Sequence, residues 1–309
     1  MRIRFALGIF LFVTARAVSQ YVPVQPPVRP NPAVEHVVII SVDGLRPDRA
    51  LLANMPNLRS LIHGGTYTFW ARTTAISITL PSHTSMLTGV TPSKHGIMWN
   101  EDLPLSHPVY PRVPTVLEMA TKAGYNTAMI AGKSKFSTLN PPNAISHVFI
   151  PGGTNEKCDN AVVAAEAVKI IEAFKPALTM IHFPDVDSVG HAKGWGSLEQ
   201  FAVIEQTDIH LGQVLAALDR SGMRSSTVIL VTSDHGGAGL THGADDPRSR
   251  HIPWIISGPG VRKNFDLTQE AALEVHTEDT TATTCYMLGL AQQPYFDGKP
   301  VFEAFENAK

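Results

Sequence analysis

The chain has 309 residues, 44% of them apolar and 17% charged, with a formal net charge of −2. That composition excludes a disordered polymer and is long enough for one large domain with a well-buried core. It also excludes a globally basic field, and no nucleic-acid-binding surface is evident.

Residues 1–17 read as a secretory signal peptide. Arg2 and Arg4 precede a short apolar run over 5–13, and Ala15 and Ala17 form an A-x-A cleavage pattern. That run is too short for a stable bilayer span, and no later run approaches ~18 consecutive apolar residues. The mature protein is therefore expected to be secreted or periplasmic, with no membrane span after signal removal. Residues 18–34 are proline-rich and read as an extended linker. Residues 35–309 remain as a single domain.

Within that domain strand-like and helix-like runs alternate. Residues 36–44 (HVVIISVDG) form a continuous apolar run ending in Asp-Gly, the pattern of a buried parallel strand. A short helix is expected over 55–65, stopped by Gly64 and Gly65, and another over 81–89, opened by Pro81. Further helices are expected over 113–124, 159–175 with Asp159 as cap, 198–220 and 277–290. Strands are expected over 126–132, 177–183, 226–237 and 252–260. This rhythm implies an α/β fold, a mostly parallel sheet with helices on both faces. Sites in such sheets form at the carboxyl ends of strands. Cys158 and Cys285 are the only cysteines. Export permits a disulfide, but their spacing does not establish one.

The chemistry-bearing residues fall where that rule places a site. Asp43 follows the first strand. Asp187 and His191 lie in FPDVDSVGH after the strand ending at Phe183. Asp234 and His235 follow VILVT, and His242 comes seven residues after His235. Three carboxylates and three imidazoles make two sets of three ligands, the donor count of a two-metal hydrolytic centre. Mixed nitrogen and oxygen donors favour Zn²⁺ over Mg²⁺ or Ca²⁺. Thr79 stands just before Pro81. It is either a helix-start residue or a nucleophile whose hydroxyl a divalent cation would activate. His251 is an alternative to His242. His83, His95 and His276 read as structural, and Trp195 as lining the pocket mouth or packing on the domain.

The stretches VVIISVDGLRPD, TLPSHTSMLTGVTPSKHGIMWN, DVDSVGHAKG, VTSDHGG and THGADDPRSRHIPWIISGPG occur in this order between residues 37 and 260. Together they resemble the alkaline phosphatase superfamily, and most closely its type I phosphodiesterase/nucleotide pyrophosphatase branch. The resemblance implies an alkaline phosphatase-like three-layer sandwich and two Zn²⁺ per chain. Asp43, Thr79, Asp234 and His235 would hold one ion, and Asp187, His191 and His242 the other. It implies that Thr79 is the nucleophile, forming a phosphothreonine that a metal-activated water hydrolyses. Asn100 would donate to a phosphoryl oxygen. The substrate class so implied is phosphodiesters or nucleotide-like pyrophosphates, small phosphate esters in either case.

Two departures from that branch stand out. Pro-Asn-His after the nucleophile is replaced by Pro-Ser-His, which puts Ser82 beside the substrate position. The stretch between His235 and His242 is short, which implies an open site. Sulfatases need Cys or Ser where Thr79 stands. Lys133 and Lys135, in AGKSKF, follow a strand and loosely match a Lys-x-Arg pair of some monoesterases in the superfamily. As substrate contacts they would favour a doubly charged monoester. A phosphomonoesterase of the same fold is the closest alternative. A phospho-group transferase and a non-catalytic scaffold are more distant ones.

Overall fold

The computed structural model describes residues 25–102, 108–243 and 245–307. The signal peptide and the start of the linker lie outside the described residues. The elements run β1 (His36–Val42), α1 (Pro47–Leu52), α2 (Pro56–His63), β2 (Gly65–Arg72), α3 (Thr79–Thr88), α4 (Pro92–His95), α5 (Val116–Lys122), β3 (Thr127–Ala131) and β4 (His147–Phe149). They continue with α6 (Asn160–Phe174), β5 (Leu178–Phe183), α7 (Asp185–Lys193), α8 (Leu198–Arg220), β6 (Thr227–Thr232), α9 (Pro247–Arg250), β7 (His251–Ser257), β8 (Phe265–Asp266) and α10 (Asp279–Leu288).

The eight strands form one sheet in the order β4-β3-β5-β1-β6-β7-β2-β8. It is parallel except where β7 runs antiparallel to β6 and β2. Strand β1 shows why the continuous apolar run was needed. Val37 and Ile39 face one core, Val38, Ile40 and Val42 the other, and all are buried. A period-2 backbone covered on both faces leaves no polar side to the strand. Helices α3, α5 and α10 cover the first face, and α1, α2, α6 and α8 the second. This is the expected three-layer α/β/α sandwich.

Several local readings differ. Residues 65–72 form strand β2, although Gly64 and Gly65 looked only like a helix stop. Gly65 packs so closely on β7 that a Cβ would stand 2.1 Å from the Ile256 carbonyl oxygen. The DVDSVGH stretch, to which the sequence assigns no element, forms helix α7. Helix α3 begins at Thr79, not at Pro81, since a proline in the first turn has no intrahelical N–H to lose. Asp159 holds the N-cap position of α6 but makes no side-chain cap bond. Asn160 N–H donates instead to the Asp185 carboxylate at 2.9 Å. Residues 25–34 form no helix or strand, yet they rest on the domain: Tyr125 O–H donates to the Pro27 carbonyl and Val34 is buried. Both cysteines are free. Cys285 belongs to one core and Cys158 borders the other, so the sheet lies between them.

Candidate active site

The parallel centre of the sheet places the carboxyl ends of β1, β5 and β6 side by side, with Ser41 in register with His182 and Thr232. The segments just beyond carry Asp43, Asp187 and Asp234. Gly44, at φ +76°, makes the approach possible, because a Cβ there would stand 2.9 Å from the Asp187 Cα. All three aspartates are buried.

Each aspartate has one oxygen held and one left open. Asp43 Oδ2 accepts from Lys133 Nζ at 2.6 Å and His182 Nε2–H at 2.9 Å. Asp187 Oδ2 accepts from the same Lys133 Nζ at 2.7 Å. Asp234 Oδ1 accepts from Gly44 N–H at 3.1 Å. Asp43 Oδ1, Asp187 Oδ1 and Asp234 Oδ2 are buried with no hydrogen-bond partner. Such orphan oxygens are costly unless a cation compensates them.

The histidines show the complementary arrangement. His235, His242 and His191 direct Nδ1–H at the carbonyls of Gly236, Ser77 and Leu240, at 2.8, 3.0 and 2.9 Å. Their Nε2 lone pairs are thereby turned to the orphan oxygens. His235 Nε2 lies 3.4 Å from Asp43 Oδ1 and 3.2 Å from Asp234 Oδ2. His191 and His242 Nε2 lie 3.4 and 3.5 Å from Asp187 Oδ1. Imidazoles fixed by backbone carbonyls with the opposite nitrogen pointing inward are the arrangement of metal ligands. Asp43, Asp234 and His235 form one group able to hold an ion, and Asp187, His235 and His242 another. His251 takes no part: its ring packs edge-on to Trp70, with centroids 4.9 Å apart.

The ionisation states follow from this packing. Burial opposes the charge of Asp43, but Lys133 and His182 hold its carboxyl well below the usual range. Asp187 is depressed as well: burial and Asp43 oppose its charge, and Lys133, His191 and His235 together hold it down. Asp234 goes the other way, raised by burial and by the charge of Asp43. Burial keeps His235 neutral and, with His235 beside it, pushes His242 down to about 4. Lys133 is raised despite burial, because Asp43 and Asp187 flank it.

Thr79 opens α3 directly above this cluster. Ile78 occupies the cap position, and Thr79 Oγ1 stands 3.4 Å from His235 Nε2. Asn100 Oδ1 accepts from Leu80 N–H at 2.9 Å, which ties Asn100 to the residue after Thr79. Lys135 donates to the Asn100 carbonyl. The remaining sequence-derived contact, Ser82, is fully buried. Its hydroxyl donates to the Asp234 carbonyl at 2.7 Å and pairs with Thr73 Oγ1 at 2.6 Å. It braces the loop rather than facing a substrate. Nor is Lys133 an open loop cation, since both of its contacts are buried carboxylates. Trp195 is buried, its Nε1–H donating to the Gly44 carbonyl at 2.9 Å, and backs His191 edge-on.

Two contributors were not legible. His83 was read as structural, and the sequence did not show that its bracing ties α3 to β1 at the site. Its Nδ1–H donates to the Thr79 carbonyl at 2.8 Å, and its Nε2 accepts from Ser41 Oγ at 2.8 Å. His182 is the other, with Gly132 N–H donating to its Nδ1 at 3.2 Å. A signal existed for it, because a histidine inside the buried strand LTMIHF must find polar partners.

The family model for type I phosphodiesterase/nucleotide pyrophosphatase matches residues 37–248. An uncharacterized pyrophosphatase/phosphodiesterase of Schizosaccharomyces pombe is 26% identical over 216 residues, covering 65% of this chain and 44% of that protein. Rat (Rattus norvegicus) ectonucleotide pyrophosphatase/phosphodiesterase family member 1 is 22% identical over 220 residues, covering 64% of this chain and 24% of its own length. This chain thus spans less than half the length of either relative. Among solved structures, murine ectonucleotide pyrophosphatase/phosphodiesterase 5, as an inactive threonine-to-alanine variant in complex with AMP, superposes with a TM-score of 0.74. It is 17% identical, covering 88% of this chain and 100% of that one. A 2-O GAG sulfatase shares the fold at a TM-score of 0.73 and 14% identity, covering 89% of this chain and 75% of that one. With its match over most of the domain, the chain belongs to the type I phosphodiesterase/nucleotide pyrophosphatase family, within the alkaline phosphatase superfamily.

Proposed function

We propose that this chain is an exported two-metal phosphohydrolase that cleaves phosphodiesters or nucleotide-like pyrophosphates through a phosphothreonine on Thr79. One observation carries the reading. Three imidazole Nε2 atoms converge on three carboxylate oxygens that have no hydrogen-bond partner. Carboxylate oxygens without hydrogen-bond partners, grouped with inward-facing imidazole nitrogens, call for cations, and the donor set fits Zn²⁺. Asp43, Thr79, Asp234 and His235 would hold one ion, and Asp187, His191 and His242 the other. When bound, the two ions would lower the pKa of the threonine hydroxyl and neutralise charge on the phosphoryl group.

The chain's own residues supply the rest. Thr79 Oγ1 attacks phosphorus, its proton leaves, and the ester or anhydride P–O bond breaks with the leaving oxygen taking up a proton. Asn100, held by its Oδ1, presents its amide N–H groups to a phosphoryl oxygen. Water then cleaves the phosphothreonine, freeing the phosphoryl product and restoring the hydroxyl. His83 fixes the Thr79 carbonyl, so the nucleophile is presented without rotation of the helix start. The complex of the murine relative with AMP supports a nucleotide-like substrate. The signal-like start supports export, and among the described residues no helix is long and apolar enough to cross a membrane.

A monoesterase would need extra cations facing the substrate. Lys133 and Lys135 are engaged with Asp43, Asp187 and the Asn100 carbonyl instead, which favours the diester reading. The test is kcat/KM of the zinc-loaded mature protein for p-nitrophenyl phosphate and for the matching phosphodiester, with Thr79→Ala as control. A large diester preference is expected. A large monoester preference would turn the protein into a phosphatase.

A further inference from the structure

Lys133 lies at the end of β3, and its side chain runs inward to the metal-ligand carboxylates. Its Nζ is 2.6 Å from Asp43 Oδ2 and 2.7 Å from Asp187 Oδ2. These aspartates belong to different ligand groups, so one ammonium spans both half-sites. The lysine is only 8% exposed. Its backbone is fixed by the Lys133–Lys157 bridge and by Cys158 N–H donating to the Gly132 carbonyl at 3.0 Å. A second wall stands behind it: a Cβ on Gly132 would meet the Pro184 ring at 2.5 Å. The ammonium is therefore a permanent part of the cluster and not a swinging surface group.

We propose that Lys133 is the resident counter-cation of the metal-free centre, and that it weakens Zn²⁺ binding there. The argument rests on the two-metal reading above and proceeds from charge. Asp43, Asp187 and Asp234 share one buried site, and Lys133 is the only ammonium in contact with their oxygens among the described residues. Without metal, its positive charge offsets a carboxylate cluster that would otherwise repel itself. With two divalent ions bound, the same ammonium sits beside an excess of positive charge. It stabilises the metal-free state more than the loaded state, so linkage requires that it lower metal affinity. A lysine acting mainly by aiming the carboxylates would have the opposite effect. Charge decides the sign, because the ammonium touches the Oδ2 atoms of Asp43 and Asp187, whereas His191, His235 and His242 face their Oδ1 atoms. His182 also holds Asp43 Oδ2, and Gly44 N–H holds Asp234 Oδ1, so two of the three carboxylates keep a partner when the ammonium is removed.

The consequence is a fold that survives without metal and a centre that exchanges it. The test measures Zn²⁺ affinity by chelator competition, and Tm of stripped and zinc-loaded protein, for wild type, Lys133→Met and Lys133→Gln. We expect both variants to bind the first Zn²⁺ at least tenfold tighter, with Tm falling in the stripped form and staying near wild type in the loaded form. Should stripped Lys133→Met fail to fold, Lys133→Gln, which keeps a donor, carries the comparison. Unchanged or weaker Zn²⁺ binding, or equal loss of Tm in both forms, overturns the proposal and leaves the two-metal reading standing. Absence of Zn²⁺ binding by the wild type overturns both.

Discussion

Thr79 Oγ1 and His235 Nε2 stand 3.4 Å apart although 156 residues separate them in the chain. The contact puts a hydroxyl next to the Nε2 of a ring whose Nδ1–H is tied to the Gly236 carbonyl. Its oxygen and that lone pair converge with the open oxygens of Asp43 and Asp234. Thr79→Ala removes the proposed nucleophile and only one of the seven proposed metal donors. We expect turnover to fall by about 10³-fold or more while two Zn²⁺ per chain remain bound. Steady-state kinetics with metal analysis checks this, and full activity in the variant would discard the nucleophile.

His242 belongs to the Asp187 half of the centre, and His251 packs on Trp70 outside it. His242→Ala should therefore lose about one Zn²⁺ per chain and His251→Ala none. Metal content after exhaustive dialysis decides between them. Full occupancy in His242→Ala would move the role elsewhere.

Asn100 holds Leu80 N–H with its Oδ1, which leaves the amide nitrogen as its donor end. Asn100→Ala should lower kcat by about 10²–10³-fold, the cost of losing one transition-state donor, with metal content unchanged. Asn100→Asp should not restore the rate, because a carboxylate has no donor for the phosphoryl oxygen. Recovery in the aspartate variant would reduce Asn100 to a helix-start brace.

Burial of His83 with both nitrogens engaged makes it a joint between β1, α3 and the site. His83→Ala would leave the Ser41 hydroxyl without its partner and open a cavity beside Phe136, whose ring centroid is 4.8 Å away. We expect a loss of roughly 3 kcal/mol in unfolding free energy of the stripped protein. A denaturant midpoint equal to wild type would contradict that role.

His95 gives a pH dependence away from the centre. It is buried, pairs with Ser85 Oγ at 3.0 Å and accepts from Ile97 N–H at 3.1 Å. Burial pushes its pKa from the ordinary 6.5 down to about 4. The unfolded chain therefore takes up the proton first, so stability falls as pH drops below 6.5 towards 4. Between pH 7 and pH 5 the wild type should lose about 2 kcal/mol more than His95→Gln. Parallel losses in the two proteins would show that His95 does not carry the effect.

The layered fold and the strand ends that bear Asp43, Asp187 and Asp234 were legible in the chain alone. Continuous apolar runs specify strands buried on both faces, and parallel strands bring their carboxyl ends to one edge. Strand β2 was hidden because Gly65, its first residue, was read as a helix stop, and only the partner β7 shows why a glycine must be there. Tertiary structure alone decided which oxygen of each aspartate is open, which nitrogen of each histidine is turned inward, and what Lys133, Ser82, His83 and His182 touch. Those features depend on neighbours across strands, such as Ser41 beside His182. A one-dimensional pattern states which face a side chain takes. The atom waiting opposite is supplied by a distant segment, and that partner fixes the proton, the charge and the ligand.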